Sequence, residues 1–271
     1  MSKIAVAQIK STTVKHENLQ TALAFIKEAK SERAEVIAFP EFLMAFSPSN
    51  QSAEELSELA ESVDGPFVTA LRAAANSSGI SIVATIYETC SVSNRVYDTA
   101  VWIDAVGRIA SVYRKLHLYD AFGFKESDKF YPGDDVAPLV ELGADRFGVM
   151  ICYDLRFPEM ARMLTILGAN VIVAPSGWVQ GDLKVEHWQT MTRARALENG
   201  CYVVAPGQVG NIYIGHSMVV DPLGRIVVDL NEKEGFEIVE LDLALVTETR
   251  DKLPLLRNRR NDVYARHRLT K

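Results

Sequence analysis

Cysteine is scarce in this chain, with only Cys90, Cys152 and Cys201 among 271 residues. They form no CxxC pair and no Cys/His ligand spacing, which leaves a structural zinc site without support. The odd, sparse count fits a reducing compartment rather than a disulfide-stapled secreted fold. Long hydrophobic runs are also missing: none approaches the roughly 20 residues that span a bilayer. The opening Met1-Ser2-Lys3 leads too quickly into polar residues for a secretory signal, so a soluble cytoplasmic protein with no membrane partner is expected. Basic charge is not in excess, the formal net charge being −6. Nucleic acid is therefore not an expected partner. The one basic cluster, Arg257, Arg259, Arg260, Arg266 and Arg268, reads as a solvated or ion-paired face. No GxGxxG, HExxH or GxSxG occurs, which removes the starting point for dinucleotide, zinc-protease and serine-elbow chemistry. Gly210–Ser217 has P-loop glycine spacing, but His216 stands where the phosphate-binding lysine belongs. No cofactor and no metal is expected.

What is present is a series of short β-branched runs alternating with helical periodicity. Strands are predicted at Ile4–Ile9, Val36–Phe39, Ile80–Ile86, Thr99–Ile103, Phe147–Ile151, Asn170–Ala174, Cys201–Ala205, Ser217–Val220, Ile226–Val228 and Phe236–Leu241. Helices are predicted around Leu19–Ala29, Leu56–Val63, Pro66–Ser78, Pro158–Leu167 and Leu183–Asn199, several with Pro at the first turn or Gly just past the end. The order gives an α/β fold with antiparallel additions. No linker or internal repeat divides it, so residues 1–271 read as one domain with a C-terminal arm from about residue 250. Tyr119–Asp135 is the longest loop, long enough to be functional.

Three residues at element ends carry chemistry. Cys152 follows the strand Phe147–Ile151 and precedes a helix, a position that opens to a sheet crevice and leaves backbone N–H groups free for an anion. Glu41 follows Val36–Phe39 and is either a solvated strand end or a general base. Lys115 lies in Ser111–Leu118, either as an edge-strand lysine or as an ammonium facing an oxyanion. Together they supply the base, oxyanion stabiliser and nucleophile of acyl transfer. A Cys–His pairing of Cys152 with His187 or His216 is the rival arrangement, without the papain-type sequence around the cysteine.

These segments together resemble the nitrilase-like carbon–nitrogen hydrolases over essentially the whole chain. The resemblance rests on Phe39-Pro40-Glu41, Tyr113-Arg-Lys115-Leu-His-Leu118, Cys152-Tyr-Asp-Leu-Arg-Phe-Pro-Glu159, Arg193–Asn199, Gly215–Pro222 and Arg259–Tyr264. It implies a four-layer α-β-β-α sandwich, a homodimer or higher homo-oligomer, and no cofactor. It also implies a Glu41–Lys115–Cys152 triad, with Glu126 as a second glutamate and the Tyr153 backbone N–H as an oxyanion donor. The motifs look like the small-acid amidase branch that includes deaminated glutathione amidase and omega-amidase. The implied reaction is hydrolysis of a small linear carboxamide, such as a 2-oxo-acid amide, to carboxylate and ammonia through a thioester. Arg156 is placed to hold a substrate carboxylate or to pair with a neighbouring one, and Tyr119 and Trp178 are candidate pocket aromatics. An N-carbamoyl amino acid hydrolase, or a silent binding member of the fold, are the alternatives. Release of carbon dioxide besides ammonia marks the first, and loss of all turnover marks the second.

Overall fold

The computed structural model describes residues 2–267, so Arg268 of the basic cluster lies outside the described residues. The first half of the chain comprises β1 (Lys3–Gln8), α1 (Lys15–Ser31), β2 (Val36–Ala38), α2 (Ala53–Leu59), α3 (Pro66–Ser78), β3 (Ser81–Thr89), β4 (Val96–Ile103) and β5 (Ile109–Arg114). The second half comprises β6 (Val140–Leu142), β7 (Asp145–Val149), α4 (Pro158–Ile166), β8 (Val171–Val173), α5 (Lys184–Asn199), β9 (Tyr202–Ala205), β10 (Val209–Gly210), β11 (Tyr213–Ile214), β12 (Met218–Val220) and β13 (Ile226–Asp229). After these come β14 (Gly235–Glu240) and α6 (Leu243–Lys252).

Two six-stranded sheets result, ordered β14-β1-β2-β3-β4-β5 and β13-β12-β9-β8-β7-β6. Each has three parallel central strands, one antiparallel strand on one side and two on the other. The two sheets thus share one strand arrangement, except that the edge strand beside β1 is β14 from the end of the chain, whereas β6 directly precedes β7. Side-chain alternation sorts each strand between two cores. In β1, Ile4 and Val6 join β7–β9 residues in the core between the sheets. Ala5 and Ala7 instead join Ala22 and Ile26 of α1 and Val68 and Leu71 of α3 in an outer core. On the far side, Met160 and Leu164 of α4 and Trp188 and Ala196 of α5 cover the second sheet. The layers are therefore α-β-β-α, as the resemblance implies.

Several element boundaries differ from the sequence reading. The helix expected over Leu56–Val63 runs Ala53–Leu59, because a reciprocal capping box between Ser52 and Glu55 starts it earlier. Glu61 instead bridges to Glu88, so the chain is already extended before Val63. The strand containing Lys115 ends at Arg114, and β6, β10, β11 and α6 had no periodic signal long enough to read. The segment after Lys252 holds a short helical turn, Asn261–Tyr264, followed by a 3-10 turn, Ala265–His267. Among the described residues, no helix is long and apolar enough to cross a membrane.

Trp102 in β4 ties the sheets together, its ring centroid lying 4.9 Å from that of Phe147 in β7. It is 1% exposed. Trp102→Ala is expected to lower the unfolding free energy by about 3–5 kcal/mol, read from urea denaturation. A loss below about 1 kcal/mol would show that the sheets do not depend on this contact.

Candidate active site

Glu41, Lys115 and Cys152 each stand just past the carboxyl end of a strand, two in one sheet and one in the other, so the site lies where the two sheets meet. Both bland readings fail. Glu41 is fully buried rather than a solvated strand end, and Lys115 is 2% exposed rather than an edge lysine. The Lys115 ammonium donates to Glu41 Oε1 at 2.7 Å and to Glu126 Oε1 at 2.8 Å, with Asp98 Oδ2 at 3.6 Å. Glu126 opens a short 3-10 turn, and its second oxygen accepts the Tyr119 N–H. The second oxygen of Glu41 accepts the Gly177 N–H. Glycine is required there: a Cβ would lie 2.9 Å from the Phe42 ring and 3.0 Å from Glu41 Oε2.

Burial alone would lower the Lys115 pKa, but the carboxylates of Glu126 and Glu41 overcome it and hold the ammonium well above its ordinary value. Burial, partly offset by Lys115, raises Glu126. Burial first and Glu41 second push the Cys152 thiol well above its ordinary range, against the pull of Lys115. The Cys152 thiol therefore holds its proton more tightly than an ordinary cysteine does.

The cysteine sits on a strained turn, with φ +43° in the left-handed region. Its N–H donates to Pro175 O at 2.9 Å, and a 3-10 turn over Cys152–Arg156 follows. Asp154 anchors this turn. It accepts from Ile151 N at 2.9 Å, from Tyr113 Oη at 2.6 Å and from His117 N at 3.1 Å. Tyr113 and His117 flank Lys115, so one buried carboxylate links the lysine segment to the cysteine turn. The Tyr153 N–H donates to no acceptor among the described residues, leaving it free beside the thiol.

Cys152, Glu41 and Lys115 line a cavity of about 640 Å³, together with Tyr119, Arg156 and Trp178. The Arg156 guanidinium lies 4.6 Å over the Trp178 ring, and its Nε is buried with no hydrogen-bond partner. No ion pair with a protein carboxylate holds it among the described residues. Lys184, which the sequence reading missed, also lines the cavity, donating to Tyr119 Oη at 2.7 Å. Burial and then Arg156 lower its pKa. Its position at the start of α5 gave no motif to find it by. Neither His187 nor His216 lines this cavity, and His216 pairs instead with Asp229 at 3.0 Å, which removes the Cys–His arrangement.

A thiol, a buried carboxylate and a buried ammonium converging on one cavity of a four-layer sandwich define a cysteine-dependent hydrolase. Residues 3–251 match the family described as carbon-nitrogen hydrolase, and the chain belongs to that family. It is 35% identical over 257 residues to deaminated glutathione amidase from Escherichia coli O157:H7, covering 95% of this chain and 97% of that protein. It matches the crystal structure of the C. elegans NitFhit protein at 32% identity with a TM-score of 0.90, covering 97% of this chain and 66% of that longer one. It also matches a glutamate-to-glutamine mutant of the amidase from Nesterenkonia sp. AN1, which carries acrylamide added at the active-site cysteine. That match has 25% identity and a TM-score of 0.77, covering 94% of this chain and 98% of that one.

The raised thiol gives a pH prediction. A raised pKa means less thiolate at any given pH, so iodoacetamide labelling of Cys152, followed by peptide mass spectrometry, should inflect above the ordinary thiol value of 9.0. Glu41→Gln removes a negative charge and should move the inflection down. Cys201, its thiol pushed up to about 12 by burial, serves as an internal silent control. An inflection below 9.0 in the wild type would contradict this environment.

Proposed function

We propose that this carbon–nitrogen hydrolase cleaves small carboxamides that carry a carboxylate, releasing ammonia through a thioester on Cys152. The observation carrying this reading is the Lys115 ammonium, bonded to both Glu41 and Glu126 and lining one cavity with the buried thiol. Glu41 removes the thiol proton as sulfur attacks the amide carbon, forming the C–S bond. Lys115 and the Tyr153 N–H hold the resulting oxyanion; such donors are typically worth roughly 3–4 kcal/mol each in barrier. Collapse breaks the C–N bond, and Glu41 returns its proton to the departing ammonia. Glu41 then takes a proton from water as it attacks the thioester, and the thiol is regained with the carboxylate product. Glu126 holds Lys115 in position throughout. The acrylamide adduct at the active-site cysteine of the Nesterenkonia protein supports the same role for Cys152.

The substrate carboxylate is assigned to Arg156, whose fork suits a carboxylate bidentately and whose Nε lacks a protein partner. Lys184 adds a second cation near it, and Tyr119 and Trp178 form apolar walls. The likeness to deaminated glutathione amidase fits an acidic amide. Because the free thiol is essential, we place the protein in the reducing cytoplasm.

Ammonia release should be measured across carboxylate-bearing amides, neutral amides, nitriles and N-carbamoyl amino acids. Turnover is expected to be highest with acidic amides and to fall by about 10⁴-fold or more in Cys152→Ala. Arg156→Ala should raise KM for acidic amides about 10–100-fold while sparing neutral ones, the range expected for a lost charge-assisted bond. Carbon dioxide release from N-carbamoyl substrates at higher efficiency would overturn the amidase assignment.

We further propose a homodimer through the outer face of α4 and α5, where Met163, Ile166, Leu167 and Leu197 are exposed apolar residues. Sedimentation should give a dimer for the wild type and a monomer for Met163→Glu combined with Ile166→Glu. An unchanged dimer in the double variant would place the interface elsewhere.

A further inference from the structure

We infer that Asp98 is a positioning residue of this site, a neutral carboxylic acid that leaves one Lys115 N–H free for the substrate oxygen. Asp98 lies in β4, opposite Tyr87 of β3, and its backbone carbonyl accepts the Lys115 N–H at 2.9 Å. The residue is 2% exposed. Carboxyl oxygens of Asp98, Glu41 and Glu126 all lie within 4.8 Å of one another, with the Lys115 ammonium bonded between Glu41 and Glu126. That ammonium stands where a cation would, so the three carboxyl groups share a single positive charge. Were all three ionised, two negative charges would be left uncompensated in a closed interior, an expensive arrangement.

The hydrogen bonds say which group keeps a proton. Buried carboxylates in this protein collect donors: Asp154 accepts from Tyr113, Ile151 and His117, and Glu88 from Arg114 and Thr99. Glu41 and Glu126 each accept Lys115 through one oxygen and a backbone N–H through the other. Neither oxygen of Asp98 accepts a hydrogen bond, and its 3.6 Å separation from the ammonium is too long for one. The groups facing it are Glu41 and Glu126 as negative charges, Lys115 as the positive one, and Tyr87, a buried phenol that burial keeps protonated. Burial and then Glu41 raise the Asp98 carboxyl well above its ordinary value, in the same direction.

Neutrality has a mechanical consequence. An ammonium has three N–H groups, and two are used by Glu41 and Glu126. An ionised Asp98 would draw the third into a short ion pair, whereas a neutral acid attracts it weakly. The third N–H then remains available to the oxyanion, while Glu41 stays ionised and able to accept the thiol proton. Asp98 itself keeps its proton through the cycle.

This inference rests on the proposed amidase reading for its role, but the protonation state can be tested without turnover. Infrared spectra of the full-length enzyme at neutral pH, with and without carboxyl-labelled aspartate, should show a protonated aspartic acid carbonyl band that is lost in Asp98→Asn. Kinetically, Asp98→Ala should lower kcat about 10–100-fold with little change in KM, the effect of misplacing a catalytic group. Asp98→Asn, which keeps the shape and neutrality, should recover most of that loss. Absence of the band, or an Asp98→Asn variant as impaired as Asp98→Ala, would overturn the inference. If Asp98→Ala does not fold, the infrared comparison alone decides. A lost band in an enzyme that hydrolyses no amide would sink the amidase reading and leave the neutral Asp98 standing.

Discussion

The buried ammonium of Lys115 is the constraint around which the site is arranged. A lysine removed from water is stable only when several kcal/mol of lost hydration are offset by charge and hydrogen bonding. Here Glu41 and Glu126 provide that compensation at 2.7 and 2.8 Å. The same two bonds fix where the positive charge sits in the cavity that Cys152 lines. Glu41 thereby has two duties, holding the lysine through one oxygen and the Gly177 N–H through the other. Removing either partner leaves an uncompensated buried charge, so stability and chemistry are bound to the same few atoms.

The scaffold makes that arrangement possible by bringing the ends of two sheets together. β2 and β5 deliver Glu41 and Lys115 from one sheet, while β7 delivers Cys152 from the other. Asp154 joins them, because its acceptors are filled by Tyr113 and His117 on the lysine side and by Ile151 on the cysteine side. The strained φ at Cys152 is held by these bonds and by Pro175. In the proposed mechanism this rigid frame matters because oxyanion donors act through preorganisation: a Tyr153 N–H that needed to move first would lose much of its effect.

Much of this was legible before any coordinates. Glu41 and Cys152 end apolar runs, and Lys115 follows an alternating one, so each stood out against its local pattern, and the family resemblance joined them. The outer helices were readable because Pro and Gly mark the ends of α3 and α4. What stayed hidden depends on long-range pairing. Periodicity cannot say that β14 returns beside β1, or that the two sheets share one strand arrangement. Asp98 and Lys184 were missed for a related reason: each lies within a regular element and gains significance only from partners far away in sequence. β10 and β11 are two residues each, too short for any period to register.

In the proposed mechanism, Cys152 becomes an acyl-enzyme under the control of Lys115 and Glu41. Rapid acid quenching during turnover of an acidic amide, followed by mass spectrometry of the Cys152 peptide, tests it most directly. A hydroxylamine-sensitive acyl group on Cys152 is expected to form together with a burst of ammonia and to be absent from Cys152→Ala. Steady ammonia release with Cys152 unmodified at every time point would contradict it.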